Sequence, residues 1–129
     1  MAKTPSRDFD KELKLSHFTL ENLQEAVFWI NSTGKIFQVN NRACIMSGYS
    51  KEELTRMNVT DINPSTIFID WPKFWQRLKS QGKIVLESKH QHKLGHLYDI
   101  EITGNFIELD GQEFHAVLYA ISVNENLKK

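Results

Sequence analysis

The chain has 129 residues, room for one domain with one hydrophobic core. Its 16 basic and 16 acidic side chains balance, which argues against a nucleic-acid footprint. Apolar residues at 40%, with eight Phe and three Trp, argue against disorder. The single cysteine, Cys44, excludes an intrachain disulfide and two-cysteine metal motifs. No apolar run is long enough for a bilayer span, and residues 1–16 lack the apolar stretch of a secretory signal, so the cytoplasm is the default compartment and no membrane contact is expected.

In chain order, residues 8–16 predict a charged helix with a narrow apolar side of Phe9, Leu13 and Leu15. A second short helix is expected over 19–24, with Thr19 as its cap. "AVFWIN" (26–31) reads as a buried strand, "NSTG" (31–34) as a turn and "KIFQV" (35–39) as the returning strand of a hairpin. A helix follows from Asn40 and is stopped by Gly48. Ser50 with Glu53 forms a capping box that starts another short helix at Lys51. "NVTDINPS" (58–65) is a helical turn halted by Pro64. Residues 70–82 carry the strongest helix signal: Asp70 as cap, Pro72 in the first turn, Gly82 at the end, and Trp71, Phe74, Trp75 and Leu78 at i, i+3, i+4 and i+7. Trp71, next to Pro72, is expected to be half exposed and Trp75 the deeper of the two tryptophans.

After Gly82 the apolar period becomes two. Residues 83–93 predict an edge strand that turns polar toward its end, and 98–109 a strand with Ile100, Ile102 and Phe106 on one face. The phase slips at Ile107, which predicts strong twist or a bulge near Gly104. "DG" (110–111) signals a hairpin into 113–123. That last strand is apolar on both faces, Phe114, Ala116 and Leu118 on one and Val117, Tyr119, Ile121 and Val123 on the other, so it should be central. Two strands, several short helices and three hairpin-linked strands together predict an α+β fold: one five-stranded antiparallel sheet with short helices and one longer helix covering one face. A crossover of such short helices packs imperfectly and leaves room for a cavity against the sheet.

The strings "AVFWINSTGKIFQVN", "RACIMSGYSKEEL", "VTDINP", "WPKFWQRLKSQG", "ESKHQHKLG" and "NFIELDGQEF", in this order over residues 18–123, resemble the PAS family of sensory domains. The resemblance implies a sheet over a ligand pocket. It implies a module within a larger signalling protein, such as a histidine kinase, a cyclase or a transcription regulator. Residues 1–17 would then be an N-terminal helical extension and 124–129 a linker to an output domain. Two departures stand out: the family's frequent Lys-Asp-Gly turn reads Lys93-Leu94-Gly95, and its terminal Asp-Ile-Thr reads Ala120-Ile121-Ser122.

Pocket candidates are Phe37, Cys44, Ser47, Leu54, Ile62, Trp71, Phe74, Trp75, Leu78, Ile100 and Ile102. The aromatic stripe at helical spacing reads first as core and second as pocket wall. Cys44 reads as an inert buried thiol, because the flavin branch's Asn-Cys-Arg-Phe string is absent. His90 and His92 read as solvated edge-strand side chains rather than metal ligands, and residues 70–82 contain none of the histidine that haem-binding relatives supply there. Asp61 and Asn63 read as turn caps, with contact to a ligand polar group as the alternative. No nucleophile–base pair or metal cluster points to an enzyme, and no metal or cofactor is expected; noncovalent flavin or haem is the alternative. The expected partners are a small-molecule ligand, an output domain in the same chain, and a second copy held through Phe9, Leu13, Tyr119, Ile121 and Val123.

Overall fold

A computed structural model describes residues 5–109 and 113–122. In chain order the elements are α1 (Pro5–Glu21), β1 (Ala26–Ile30), β2 (Ile36–Val39), α2 (Asn41–Ser47), α3 (Lys51–Leu54), α4 (Val59–Ile62), α5 (Thr66–Ile69), α6 (Trp71–Gln81), β3 (Lys83–Gln91), β4 (Leu97–Leu109) and β5 (Glu113–Ser122). The strands form one antiparallel sheet in the order β2-β1-β5-β4-β3, with β5 in the centre as its two apolar faces require. The 110–111 turn and Val123 lie outside the described residues, as does the side chain of Phe114.

The core lies between the inner sheet face and the crossover helices. Phe28, Ile30, Ile100, Ile102, Ala116, Leu118 and Ala120 meet Leu54, Ile62, Phe68, Trp71, Phe74 and Leu78 there. Asp70 caps α6 by accepting from the Lys73 amide, and Pro72 sits where no amide hydrogen is needed. Gly48 ends α2 at φ 82°, its amide donating to the Cys44 carbonyl. The Ser50–Glu53 capping box starts α3.

Three local expectations need correction. The N-terminal region is one helix, not two: the Thr19 hydroxyl donates back to the Leu15 carbonyl (2.9 Å) instead of capping a new helix. With about 100° per residue on a continuous helix, Leu15 falls on the side of Phe18, away from Phe9 and Leu13. β4 carries no bulge at Gly104, since its register with β5 is unbroken from Ile100 to Leu109; the irregularity lies in the β1–β2 pair, where Phe37 of β2 is skipped between the partners of Trp29 and Ile30. Gly104 serves close packing instead, because an added Cβ would stand 3.0 Å from Leu118 Cδ2. Trp71 is not half exposed. At 4% it is deeper than Trp75 at 8%, because its indole Nε1 reaches back to donate to the Ser32 carbonyl (2.9 Å).

Candidate functional site

The short turn 58–65 has a definite task. Asn58 and Asp61 form a capping box that starts α4. The Val59 amide donates to the Gly34 carbonyl (2.8 Å) and Asn58 Nδ2 to the Thr33 carbonyl (3.0 Å), so α4 is pinned to the β1–β2 hairpin. Pro64 then ends the turn, and this leaves Asn63 buried over β3. Its Oδ1 accepts from the Ser65 amide (3.1 Å) and from Ser88 Oγ (3.2 Å) on β3. Its Nδ2 has no protein partner, nor does the buried Ser65 Oγ.

Ser88 and His90 share one face of β3, since their side chains are two apart on a strand. That face also carries Ile84 and Leu86 and looks into the core. His90 is 2% exposed. Its ring stands edge-on to Phe28 at 5.8 Å and to Tyr98, its cross-strand partner on β4, at 6.0 Å. Neither imidazole nitrogen has a protein partner, and neither does Tyr98 Oη. Burial alone pushes the His90 proton affinity down to about 3, so the ring is neutral. Burial pushes the Tyr98 phenol up to about 12, so it keeps its proton as a donor.

Asn40 shows what a saturated buried amide looks like in the same protein. Its Oδ1 accepts from Val27 and Ala43 amides (2.9 and 3.1 Å), and its Nδ2 donates to the Leu20 and Glu25 carbonyls (2.9 and 3.0 Å). Every hydrogen-bonding position is used, which ties the end of α1 to β1 and α2. Unpaired buried polar groups typically cost about 1–3 kcal/mol each. Asn63 and Ser65 beside Ser88, and His90 with Tyr98 one step along the same face of β3, therefore leave hydrogen-bonding capacity that the protein itself does not fill. A surface cleft of about 320 Å³ between α5 and α6 is a weaker candidate: its polar lining residues Thr66, Asp70, Lys73 and Arg77 are exposed.

The histidine expectation is thus overturned for His90. The polar look of "ESKHQHK" masks a strand whose even positions all point inward, and that parity was the signal available in the sequence. His92 lies past the end of β3. Its ring packs where a Gly48 Cβ would be and stacks on His96 at 4.6 Å, while its Nδ1 accepts from the Leu94 amide. The two histidines do not converge. Among the described residues, no group of three or more His, Cys, Asp or Glu is placed to hold a metal.

Residues 16–118 match the family model described as the PAS fold. The chain belongs to the PAS family. Among solved structures, a PAS domain from a two-component sensor histidine kinase is 22% identical, with 88% of this chain and 98% of that one covered at a TM-score of 0.77. The PAS domain of an HTR-like protein from Haloarcula marismortui is 15% identical, with 92% and 97% covered at 0.83. A domain of a sensory box sensor histidine kinase/response regulator from Geobacter sulfurreducens is 14% identical, with 88% and 96% covered at 0.75. No curated protein sequence matches. These neighbours share the fold of this chain.

In this PAS domain, Leu54, Ile62, Trp71, Phe74, Leu78, Ile100 and Ile102 lie together in the hydrophobic core, with Trp75 packed against Phe106. Ser47 is buried but already occupied, its hydroxyl accepting from the Tyr49 amide and its carbonyl from the Lys93 amide. Cys44 is half-buried; burial pushes its thiol up, and it feels Lys51 and Glu21 near α1 rather than the cluster. Phe37 does not belong to the pocket set: on β2 the side chains of Ile36 and Val39 turn inward and Phe37 is 39% exposed. Phe9 and Leu13 are exposed at 57% and 52%, and Tyr119 and Ile121 are half-buried on the outer sheet face. No helix among the described residues is long and apolar enough to cross a membrane.

Proposed function

We propose that this PAS domain is a ligand-responsive sensory module of a larger signalling protein, with a histidine kinase as the favoured parent. The small molecule would sit between the inner sheet face and α4–α5, against Asn63, Ser65, His90 and Tyr98. The observation that carries this reading is the set of buried polar atoms without protein partners on Asn63, Ser65, His90 and Tyr98. A structural protein gains stability by filling such groups with protein atoms, as Asn40 is filled. Binding would act by population shift: the occupied site favours one packing of β3, β4 and the crossover helices over another. The signal would leave through α1, whose end is held by Asn40 and by Glu21, which accepts from the Asn41 amide (2.7 Å) and pairs with Lys51 (3.1 Å). A second copy of the chain would bind through the exposed side of α1 and the outer sheet face, and an output domain in the same chain would read the change.

The alternative, a flavin- or haem-bearing sensor, differs in one cheap observable. The absorption spectrum of the purified protein is expected to show no band above the protein region; a stoichiometric visible band replaces this reading with the cofactor-bearing one. Native mass spectrometry tests the site itself, with a noncovalent small-molecule adduct as the expected result and a bare chain as the contrary one.

A further inference from the structure

The polar groups around His90 specify more than the presence of a ligand. Asn63 Nδ2 carries only N–H donors, and Oδ1 is already used twice, so the open capacity of this amide is donation. Tyr98 Oη and Ser65 Oγ can each donate and accept, and a neutral imidazole offers one donor and one acceptor. Asn63 Nδ2 is the one donor-only group among them, and it calls for an oxygen acceptor on the bound molecule. Charge is lacking. On β3 the neighbours Glu87 and Lys89 point to the other face and are exposed, on β4 Asp99 pairs with Lys89 and Glu101 is exposed, and β1 carries no charged residue. On α4, Asp61 is exposed and spent on the Asn58 amide. Desolvation is the only cause acting on His90 and on Tyr98, so no charged side chain helps to set either proton. An ion placed here would lose its hydration and meet no counter-charge.

We infer that the site formed by Asn63, Ser65, Ser88, His90 and Tyr98 takes a compact uncharged molecule with an acceptor oxygen, a primary amide or an alcohol, and rejects its charged counterparts. This rests on the reading of the cluster as a ligand site. His90 is the residue that sets the preference, because a neutral imidazole gives one donor and one acceptor without a charge.

The test is a nuclear magnetic resonance titration of the full chain, read at the His90 imidazole, whose signals are assigned by their loss in His90→Phe. The probes are matched pairs: acetamide against acetate, and propan-1-ol against propylammonium. The neutral member of each pair is expected to bind at least tenfold tighter than its charged partner. His90→Gln, which keeps a neutral donor and acceptor, should retain that preference, read at the Tyr98 ring. His90→Phe should weaken neutral binding at least tenfold at the same signal. A charged probe that binds as well as its neutral partner would overturn the ligand class while leaving the site in place. Probes that leave the His90 and Tyr98 signals untouched would overturn the site itself.

Discussion

At the scale of the residue, His90 governs how the domain responds to acid. In the unfolded chain its imidazole titrates near 6.5, whereas in the fold it resists protonation down to about 3. Its folded value is depressed, so between those values the unfolded chain binds the additional proton. Stability from this group is complete above about pH 7 and is lost as pH falls toward 3. Between about pH 7.5 and about pH 5 the loss should be about 2 kcal/mol. Urea unfolding at the two pH values should show that difference in the wild-type chain and a markedly smaller one in His90→Phe. Equal pH slopes in the two proteins would mean that the ring is not held in a dry, uncharged place. The same residue marks a limit of sequence reading. Its inward parity follows from Ile84 and Leu86, but Glu87, Lys89 and Gln91 between the inward positions gave the segment the look of a solvated edge.

At the scale of the element, α6 organises the aromatic core. Trp71 packs on Phe68 and Phe74 with ring centroids 5.9 and 5.4 Å apart, and its indole N–H ties the helix start to the β1–β2 turn. Trp75 packs edge-on against Phe106 at 5.2 Å and makes no comparable tie. Each Trp→Ala change should cost about 3–5 kcal/mol, with Trp71→Ala the worse by roughly 1 kcal/mol for the lost hydrogen bond. Urea midpoints rank the two; a higher midpoint for Trp71→Ala would contradict this packing. Much at this scale was legible. The caps at Ser50 and Asp70, the stop at Gly48, the stripe of α6 and the central place of β5 follow from local chemistry and period. What was not legible depended on distant partners. Trp71 is buried because Ser32 is there to receive its N–H. Gly104 is a packing gap for Leu118, not a bulge.

At the scale of the whole molecule, α1 is the element with unfinished packing. Phe9, Leu13, Leu15 and Phe18 are each more than half exposed, on two sides of the helix, whereas the α1 end is anchored through Leu20 and Glu21. Such apolar surface on a helix joined to a compact domain fits a contact between copies. The wild-type chain should sediment as a dimer at micromolar concentration, and the double substitution Phe9→Ser with Leu13→Ser should shift it to monomer with little change in thermal unfolding of the monomer. A wild-type chain that stays monomeric at high concentration would remove the dimer from the account.

Native mass spectrometry of the wild-type chain beside His90→Phe, each purified without denaturation, tests the core site most directly. Occupancy of the core by a small polar molecule predicts a noncovalent adduct on the wild type, lost on denaturation and absent or much reduced in the variant. A bare wild-type chain, or the same adduct on both proteins, would contradict a ligand site built on His90.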